Sequence, residues 1–408
     1  MKILIVGASI AGPALAFWLD RYGGHDVTVV ERAPALREGG YCVDVRGAAL
    51  EVVERMGLRD RLRPLEANTL SNAVVDREGR VFGRTKRGFG VIDPDDVEIL
   101  RGELARVMVD ATRANVRYRF GESVAALDQH ATGVDVTFTN GSRETFDVVV
   151  GADGVHSRTR ELAFGPEASF VHPLGSCMAI WSAPNHLGLD REQLLFQGVH
   201  QIASIKSTND NERLYVAAFF KHDAAAFDHR DVVGQRRIVS DAFGDAGWEF
   251  PFLVEEMQLA NDFYCDITCQ VRMPSYSRGR VALVGDAAYC PSPLSGQGTS
   301  LALVGAYVLA TALVRERSAA DAFRAYDATM RTFVVKNQQI AERIGQGFAA
   351  ESSFQLRLRQ WAMSVMPHLP GSELVMKLAM RGVREAARSL VLPPPSAPRP
   401  SRETLASA

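Results

Sequence analysis

The chain has 408 residues, 47% of them hydrophobic and 23% charged, and its formal net charge is -2. That length supports roughly two to three domains with a sizeable core, and the balanced charge lacks the basic footprint that draws nucleic acid or anionic lipid. Cys42, Cys177, Cys265, Cys269 and Cys290 are odd in number and scattered, with no second pair to complete a zinc site beside Cys265 and Cys269; they read as reduced, mostly buried thiols.

The first element, "KILIVG", reads as a short buried strand, followed by "AGPALAFWLDRYG" as a helix with Pro13 in its first turn and "DVTVVER" as a second strand. Together they form a βαβ unit of about thirty residues. The same apolar start resembles a signal peptide, but Gly7, Ser9, Gly12 and Pro13 interrupt it and a strand follows where a cleavage region would lie. Further on, "DVVVGADG" (147–154) and "RVALVGDAA" (280–288) are apolar strands that end in Gly and Asp. Residues 281–314 are poor in charge, yet Asp286, Pro291, Pro293 and four glycines split them below the ~20 apolar residues of a membrane span. A cytoplasmic protein without a membrane span is expected.

Between those strands, residues 169–271 are richer in aromatics and irregular polar segments, which predicts an antiparallel sheet inserted into the first domain and joined by residues 73–94. The resulting division is 1–72, 95–168 and 272–335 for a dinucleotide-binding domain, 73–94 and 169–271 for a substrate domain, 336–392 for C-terminal helices and 393–408 for a Pro- and Ser-rich disordered tail. No internal repeat is found.

The stretch "GASIAG", Gly7 to Gly12, carries the first chemical signal. A nucleophile elbow is written G-x-S-x-G; the spacing here is one residue longer, which argues against Ser9 as a nucleophile. A dinucleotide fingerprint is G-x-G-x-x-G; Gly7 and Gly12 fit its first and third positions, Ser9 replaces the second, and Ile10 and Ala11 complete the turn. Glu31 ends the second strand about twenty residues on, where an acidic side chain hydrogen-bonds an adenosine ribose.

A fingerprint alone does not separate FAD from NAD. "GADGVHSRTR" (151–160) and "LVGDAAYCPSPLSGQGTS" (283–300) resemble signatures of the single-component FAD-dependent aromatic hydroxylases, the p-hydroxybenzoate hydroxylase-like monooxygenases, and are nearer to the tetracycline-inactivating branch. "GASIAG", "VVER", "GGYCVDVRG" (39–47) and "LRGELARVM" (100–108) stand in the family's order, so the resemblance covers about residues 1–335.

The resemblance implies an α/β fold with a Rossmann-like FAD-binding domain of the GR2 type, an inserted antiparallel-sheet substrate domain and C-terminal helices. It implies FAD as cofactor, NADPH or NADH as transient co-substrate, and insertion of one atom of O2 into an aromatic or polycyclic small molecule through a flavin C4a-hydroperoxide. Glu31 would then hold the ribose with Arg32 beside it, and Asp44 would lie near the flavin. Arg101 would reach the ribityl-phosphate region, and Asp286 a ribityl hydroxyl, with a partner expected for its carboxylate in so apolar a segment. Val124, Asp153, Pro293, Gly296, Gly298 and Thr299 complete the implied cofactor set. Asp153 reads equally well as a structural turn, and Pro293 as a rigid wall for oxygen. The "LALVGAYVLATALV" helix would direct its amino end at the flavin.

Two positions depart from the family: Tyr289 stands where it often has His, and Ser292-Pro293 where it has a Pro-Pro pair, which predicts a different wall beside the flavin. His156, His172, His200 and His222 read as turn or surface residues, so no general base, and no metal ligand, is assigned. Trp181, Phe196, Phe219, Phe220 and Phe263 are candidate substrate walls, though aromatics on a sheet more often form core. The readings that compete are a flavin oxidase or dehydrogenase without oxygen insertion and an FAD-retaining ligand-binding protein. Oligomeric state is not legible.

Overall fold

The structure, a computed structural model, describes residues 1–37, 40–86, 95–365 and 380–396. Part of the expected 73–94 segment (87–94), the start of the expected last helix (371–379), Gly39 and residues 397–408 of the expected disordered tail lie outside the described residues.

The apolar run Lys2–Val6 forms the central strand of a six-stranded sheet, parallel to Asp26–Glu31 on one side and to Val148–Gly151 on the other. Val281–Leu283 and Arg117–Phe120 extend it as further parallel strands, and Ser277–Arg278 adds an antiparallel edge. Both faces of the central strand are covered, which is why it reads as an unbroken apolar run. Ile3 and Ile5 pack into the main core with the helices, while Leu4 and Val6 pack against a three-stranded antiparallel layer made by Val124–Gln129, Val134–Phe138 and Arg143–Phe146.

The helix Ala11–Tyr22 follows the first strand with Pro13 near its start, where a missing N–H costs nothing, and ends at Gly23 with φ +72. It packs along the Gly298–Arg315 helix, and Tyr22 Oη meets Thr311 Oγ1 at 3.1 Å between them. The second helix is apolar and long enough to cross a bilayer by composition, but its side chains fill the core of the domain. The following helix, Ala319–Gly345, starts at Ser318, whose hydroxyl caps Asp321 N at 3.1 Å, and runs straight through the expected boundary at 335/336.

The second sheet has seven strands in the order Tyr264–Val271, Val171–Pro184, Arg213–Lys221, Gln201–Ser207, Glu192–Gly198, Ser71–Val75 and Val81–Lys86. It is antiparallel except where Glu192–Gly198 runs parallel to Ser71–Val75. Those two strands are joined by a long excursion through the first domain, not by a hairpin, so nothing forces them antiparallel. The Val232–Phe243 and Phe250–Leu259 helices cover its outer face.

Pro393, the first residue of the expected disordered tail, is tied down: its carbonyl accepts from Tyr307 Oη at 2.6 Å and Arg55 Nη1 at 2.7 Å.

Tyr289 turns into the core between the two long helices. Its hydroxyl meets Tyr326 Oη at 2.9 Å, and a Cβ added to Gly305 would lie 1.8 Å from it. Gly305→Ala therefore forces the Tyr289 ring to move and should cost about 1–3 kcal/mol, the usual penalty of overpacking. Thermal melts check this: most of the loss should return in Gly305→Ala/Tyr289→Phe, and an unaltered melting temperature for the single variant would count against the contact.

Candidate active site

The carboxyl ends of the parallel strands deliver the predicted residues to one edge of the first sheet, where open α/β sheets bind ligands. Gly7 has φ +111, and a Cβ there would lie 2.4 Å from the Ala152 carbonyl; a Cβ on Gly12 would lie 1.9 Å from the Gly7 carbonyl. Neither position admits any other residue without moving backbone, as the fingerprint requires. Ser9 is half-buried on the turn between them, and the first helix opens beyond Ile10 and Ala11 with unpaired N–H groups aimed at any anion placed there.

Glu31 leaves the end of the second strand and accepts from Ala8 N and Ala33 N, both at 2.9 Å. It fastens the glycine turn to the neighbouring strand, and its remaining lone pairs stay available to a ribose. Arg32 is exposed beside it. Val124 is in the same region, but its side chain belongs to the core of the three-stranded layer, so only its main chain could face a ligand.

Asp153 is half-buried, and both its oxygens are committed to the start of the Arg158–Phe164 helix: Oδ1 to the Ser157 hydroxyl, Oδ2 to Thr159 N at 2.9 Å and Thr159 Oγ1 at 3.0 Å. Burial pushes its carboxyl up, against the pull of those bonds. The geometry is that of a structural clamp.

Asp286 is exposed on the cleft because Gly285 at φ +66 turns the chain outward at the strand end, and Arg101 and Cys290 are the partners that favour its carboxylate. Protein surrounds it closely enough that desolvation raises its pKa, while the Arg101 guanidinium opposes the rise. Gly285 also lets this loop touch the fingerprint helix, since a Cβ there would stand 2.9 Å from Ala11 Cβ.

From Asp286 the surface continues to the start of the Gly298–Arg315 helix. A Cβ on Gly298 would approach Asp286 Oδ1 at 3.8 Å, and one on Gly296 would approach Arg46 Nη1 at 3.6 Å and Asp44 Oδ2 at 3.9 Å. Pro293, Gly298 and Thr299 are half-exposed on this surface, and Gly296 is exposed. Gln297 between the two glycines is fully buried, with no hydrogen-bond partner for its amide among the described residues. The named contacts thus run as one strip from Glu31 through Ala8, Ala11 and Asp286 to Gly296 and Asp44. The cradles at Gly7 and Gly12, the accessible Asp286 and the orphaned Gln297 amide fit an extended dinucleotide along that strip.

Arg46, Asp96, Glu98 and Lys206 were missed in the sequence. Arg46 pairs with Asp44 at 2.5 Å and approaches Asp96 at 3.7 Å; Lys206, nearly buried on the second sheet, pairs with Glu98. Only Arg46 carried a usable signal, two residues from Asp44 in the quoted segment; Asp96 meets it from a distant part of the first domain, and Glu98 and Lys206 meet across domains.

The second sheet's period-two alternation decides the substrate walls. Trp181, Phe196 and Phe220 point into the core under the outer helices, and Phe263 packs against that core, so four of the five aromatic candidates are walls of nothing. Phe219 alone lies on the opposite face. There Gln197, Ile202 and Phe219 pair across three strands, as do Leu195, Ser204 and Ala217, and all six are half-exposed. Lys206 and Asp266 on this same face reach Glu98 and His156 of the first domain, so it is the face that closes the cleft.

His156 is not a free turn residue. Its Nδ1 meets Glu167 Oε1 at 2.9 Å and its Nε2 meets Asp266 Oδ2 at 3.0 Å. Burial alone would lower its pKa; hydrogen bonds and charge from Asp266 and Glu167 win and push it up to about 10.

At Asp44, burial raises the carboxyl from its ordinary 3.8 to about 6 against the opposing Arg46 guanidinium. A folded-state value above the unfolded one means the native state binds the proton more tightly, so stability falls as pH climbs from about 4 to 6. Asp44→Asn removes that slope. Melting temperatures of the two proteins between pH 4 and 7 should diverge in favour of the variant up to about pH 6 and then run parallel; parallel curves throughout would contradict the shift.

A family model described as "FAD binding domain" matches residues 1–341. A flavin-dependent monooxygenase of Legionella longbeachae serogroup 1 (strain NSW150) is 38% identical over 351 residues, 85% of this chain and 90% of that one. An FAD-dependent monooxygenase of Sarocladium schorii is 30% identical over 420 residues, covering 96% of this chain and 97% of its own. Among solved structures, tetracycline destructase Tet(51) superposes with a TM-score of 0.84 at 34% identity, over 96% of this chain and 99% of that one. With its glycine cradles, Glu31 at the end of the second strand and the Asp286 loop in place, the chain belongs to the FAD-binding family of flavin-dependent monooxygenases.

Proposed function

We propose that this enzyme uses NADPH or NADH and O2 to hydroxylate an aromatic or polycyclic small molecule held between the second sheet and the cofactor strip. The observation that carries this reading is the strip itself, which joins a ribose site at Glu31 to a second polar end at Asp286 and Asp44 and lies opposite a half-exposed, mostly apolar sheet face. In this reading Glu31 holds the adenosine ribose, the free N–H groups at the start of the Ala11–Tyr22 helix hold the pyrophosphate, and Arg101 and Asp286 hold the ribityl chain. Pro293, Gly296, Gly298 and Thr299 line the ring end, where the start of a long buried helix favours negative charge. Arg32 flanks the adenosine end.

FAD held by these residues would supply the redox chemistry, linking oxidation of the nicotinamide to activation of O2. The residues position and shield: Leu195, Ile202, Ala217 and Phe219 exclude water and offer a flat apolar floor, and Ser204 and Gln197 add hydrogen-bonding groups at its edge. Asp153 acts through the helix it clamps. We place the enzyme in the cytoplasm, in keeping with its use of NAD(P)H.

The test is direct. Protein purified with FAD should be yellow and should oxidise NAD(P)H faster when a member of a panel of phenols, quinones and polycyclic polyketides, tetracycline included, is added; product formed under ¹⁸O₂ should carry one labelled atom. Faster oxidation with hydrogen peroxide as sole oxygen product would favour an oxidase, and no ligand response at all an FAD-retaining binding protein. Asp286→Ala should weaken FAD about ten- to hundredfold, as expected for loss of a charged hydrogen bond of about 1.5–3 kcal/mol, by fluorescence titration of the apoprotein. Unchanged affinity would remove Asp286 from the site.

A further inference from the structure

At the seam between the two domains, beside the clamp at Asp153, a cluster of donors is assembled that the cofactor strip does not use. His156 and Glu167 come from the first domain's Asp-Gly segment and the short turn after its helix; His229 comes from the substrate domain. One ligand atom of each lies within 4.8 Å of the others. We propose that His156, Glu167 and His229 bind a divalent transition-metal ion of the zinc type, which clasps the substrate domain to the dinucleotide-binding domain.

Three features carry this assignment. First, His156 Nδ1 and Glu167 Oε1 are 2.9 Å apart, about the separation of two neighbouring ligands each ~2.0–2.1 Å from zinc at a near-right angle. Second, the outer bonds that metal-binding groups need are already made. His156 directs its other nitrogen, Nε2, at Asp266 Oδ2 at 3.0 Å, and Asp266 is itself held by Tyr264 Oη at 2.8 Å and by Ile267 N at 2.8 Å. That is the carboxylate–histidine pairing that orients a metal-bound imidazole. Glu167 in turn accepts on Oε2 from the fully buried Arg160 at 3.2 Å. Third, two imidazoles and one carboxylate form a borderline nitrogen–oxygen set, which favours zinc or its first-row neighbours over magnesium or calcium.

His229 is the adjustable ligand. Its ring stacks on His156 at 3.9 Å with planes 11° apart, and Arg230 Nε meets its Nε2 at 3.3 Å. Stacked rings do not aim both lone pairs at one point, so the exposed His229 ring must swing out of the stack to close the site. The proton now shared between His156 Nδ1 and Glu167 leaves as the ion enters.

The experiment titrates the FAD-loaded enzyme, stripped of metal by chelator, with ZnCl2 against a chromophoric zinc indicator. The expected result is one ion per chain with micromolar or tighter affinity, about one proton released per ion, and no competition from millimolar Mg²⁺. His229→Ala, at an exposed position that leaves the fold intact, and Glu167→Gln should each weaken binding at least tenfold; Asp266→Asn, which weakens the outer bond to His156 Nε2 without removing a ligand, should weaken it about ten- to hundredfold. Binding weaker than about 100 μM, or binding that His229→Ala leaves unchanged, overturns the assignment and leaves the cluster as an imidazolium held between two carboxylates. Flavin content read on the same samples keeps this result separate from any failure of the cofactor reading.

Discussion

Close approach of backbone to backbone at Gly7, Gly12 and Gly285 is the constraint from which the rest of the site follows. A helix can meet the end of the strand before it only if nothing stands between them, and an added Cβ at Gly12 would fall almost on the Gly7 carbonyl. That contact aims the first turn of the Ala11–Tyr22 helix at the edge of the sheet, with its free N–H groups forward. Gly285 repeats the device two strands away in the sheet and brings the Asp286 loop against Ala11. Glu31 then locks the turn from the other side by accepting from Ala8 N. Three close contacts and one carboxylate give a generic parallel sheet an elongated ledge along one edge.

Facing that ledge, the second sheet is tied to the first domain by charges as well as by Val271, which packs into the first domain's core. Lys206 reaches Glu98, and Asp266 reaches His156, both from the cleft side of the sheet. Buried or half-buried ion pairs contribute little net stability once desolvation is counted, yet removing one partner leaves an uncompensated charge. Such links penalise misplacement more than they reward docking. They are suited to fixing the distance between a ligand floor and a cofactor strip, which a sliding apolar interface would leave loose.

How much of this was legible in the sequence depends on whether a residue's partners are near it in the chain. The fingerprint, the strand ending in Glu31 and the Asp286 loop were legible because each is a local strand-to-turn event written in consecutive residues. So was the existence of an inserted sheet, although its parallel pair was not, because that depends on a crossing between domains. Trp181, Phe196 and Phe220 took the core role that is commoner for sheet aromatics; which of the five candidates would face the cleft was not legible, because aromatic content says a sheet has a core but not which face holds it, and only the helices behind it settle the parity. A partner was expected for Asp286 because its neighbours are apolar, but those neighbours do not show that one glycine with positive φ turns the carboxylate onto the surface. His156, Asp266 and Lys206 had no sequence signal, since their partners lie on another domain.

The two departures from the family pattern act differently, and neither as a simple exchange of side chains. Tyr289 does not line the cleft at all: its ring is buried, stacked edge-on to Tyr276 at 5.1 Å and accommodated by the missing side chain of Gly305. A larger residue was absorbed by the core, so the polarity of the cofactor wall is untouched by it. Ser292 changes the wall through the backbone. It holds φ +80 and ψ 145, a conformation closed to proline, whose ring fixes φ near -65°. Directly before Pro293 this geometry is strained by roughly 1–3 kcal/mol, and it persists because Ser292 is buried and its hydroxyl and carbonyl bind Leu294 N and Ser295 Oγ. The loop that carries Pro293 therefore follows a path that a Pro-Pro pair could not take.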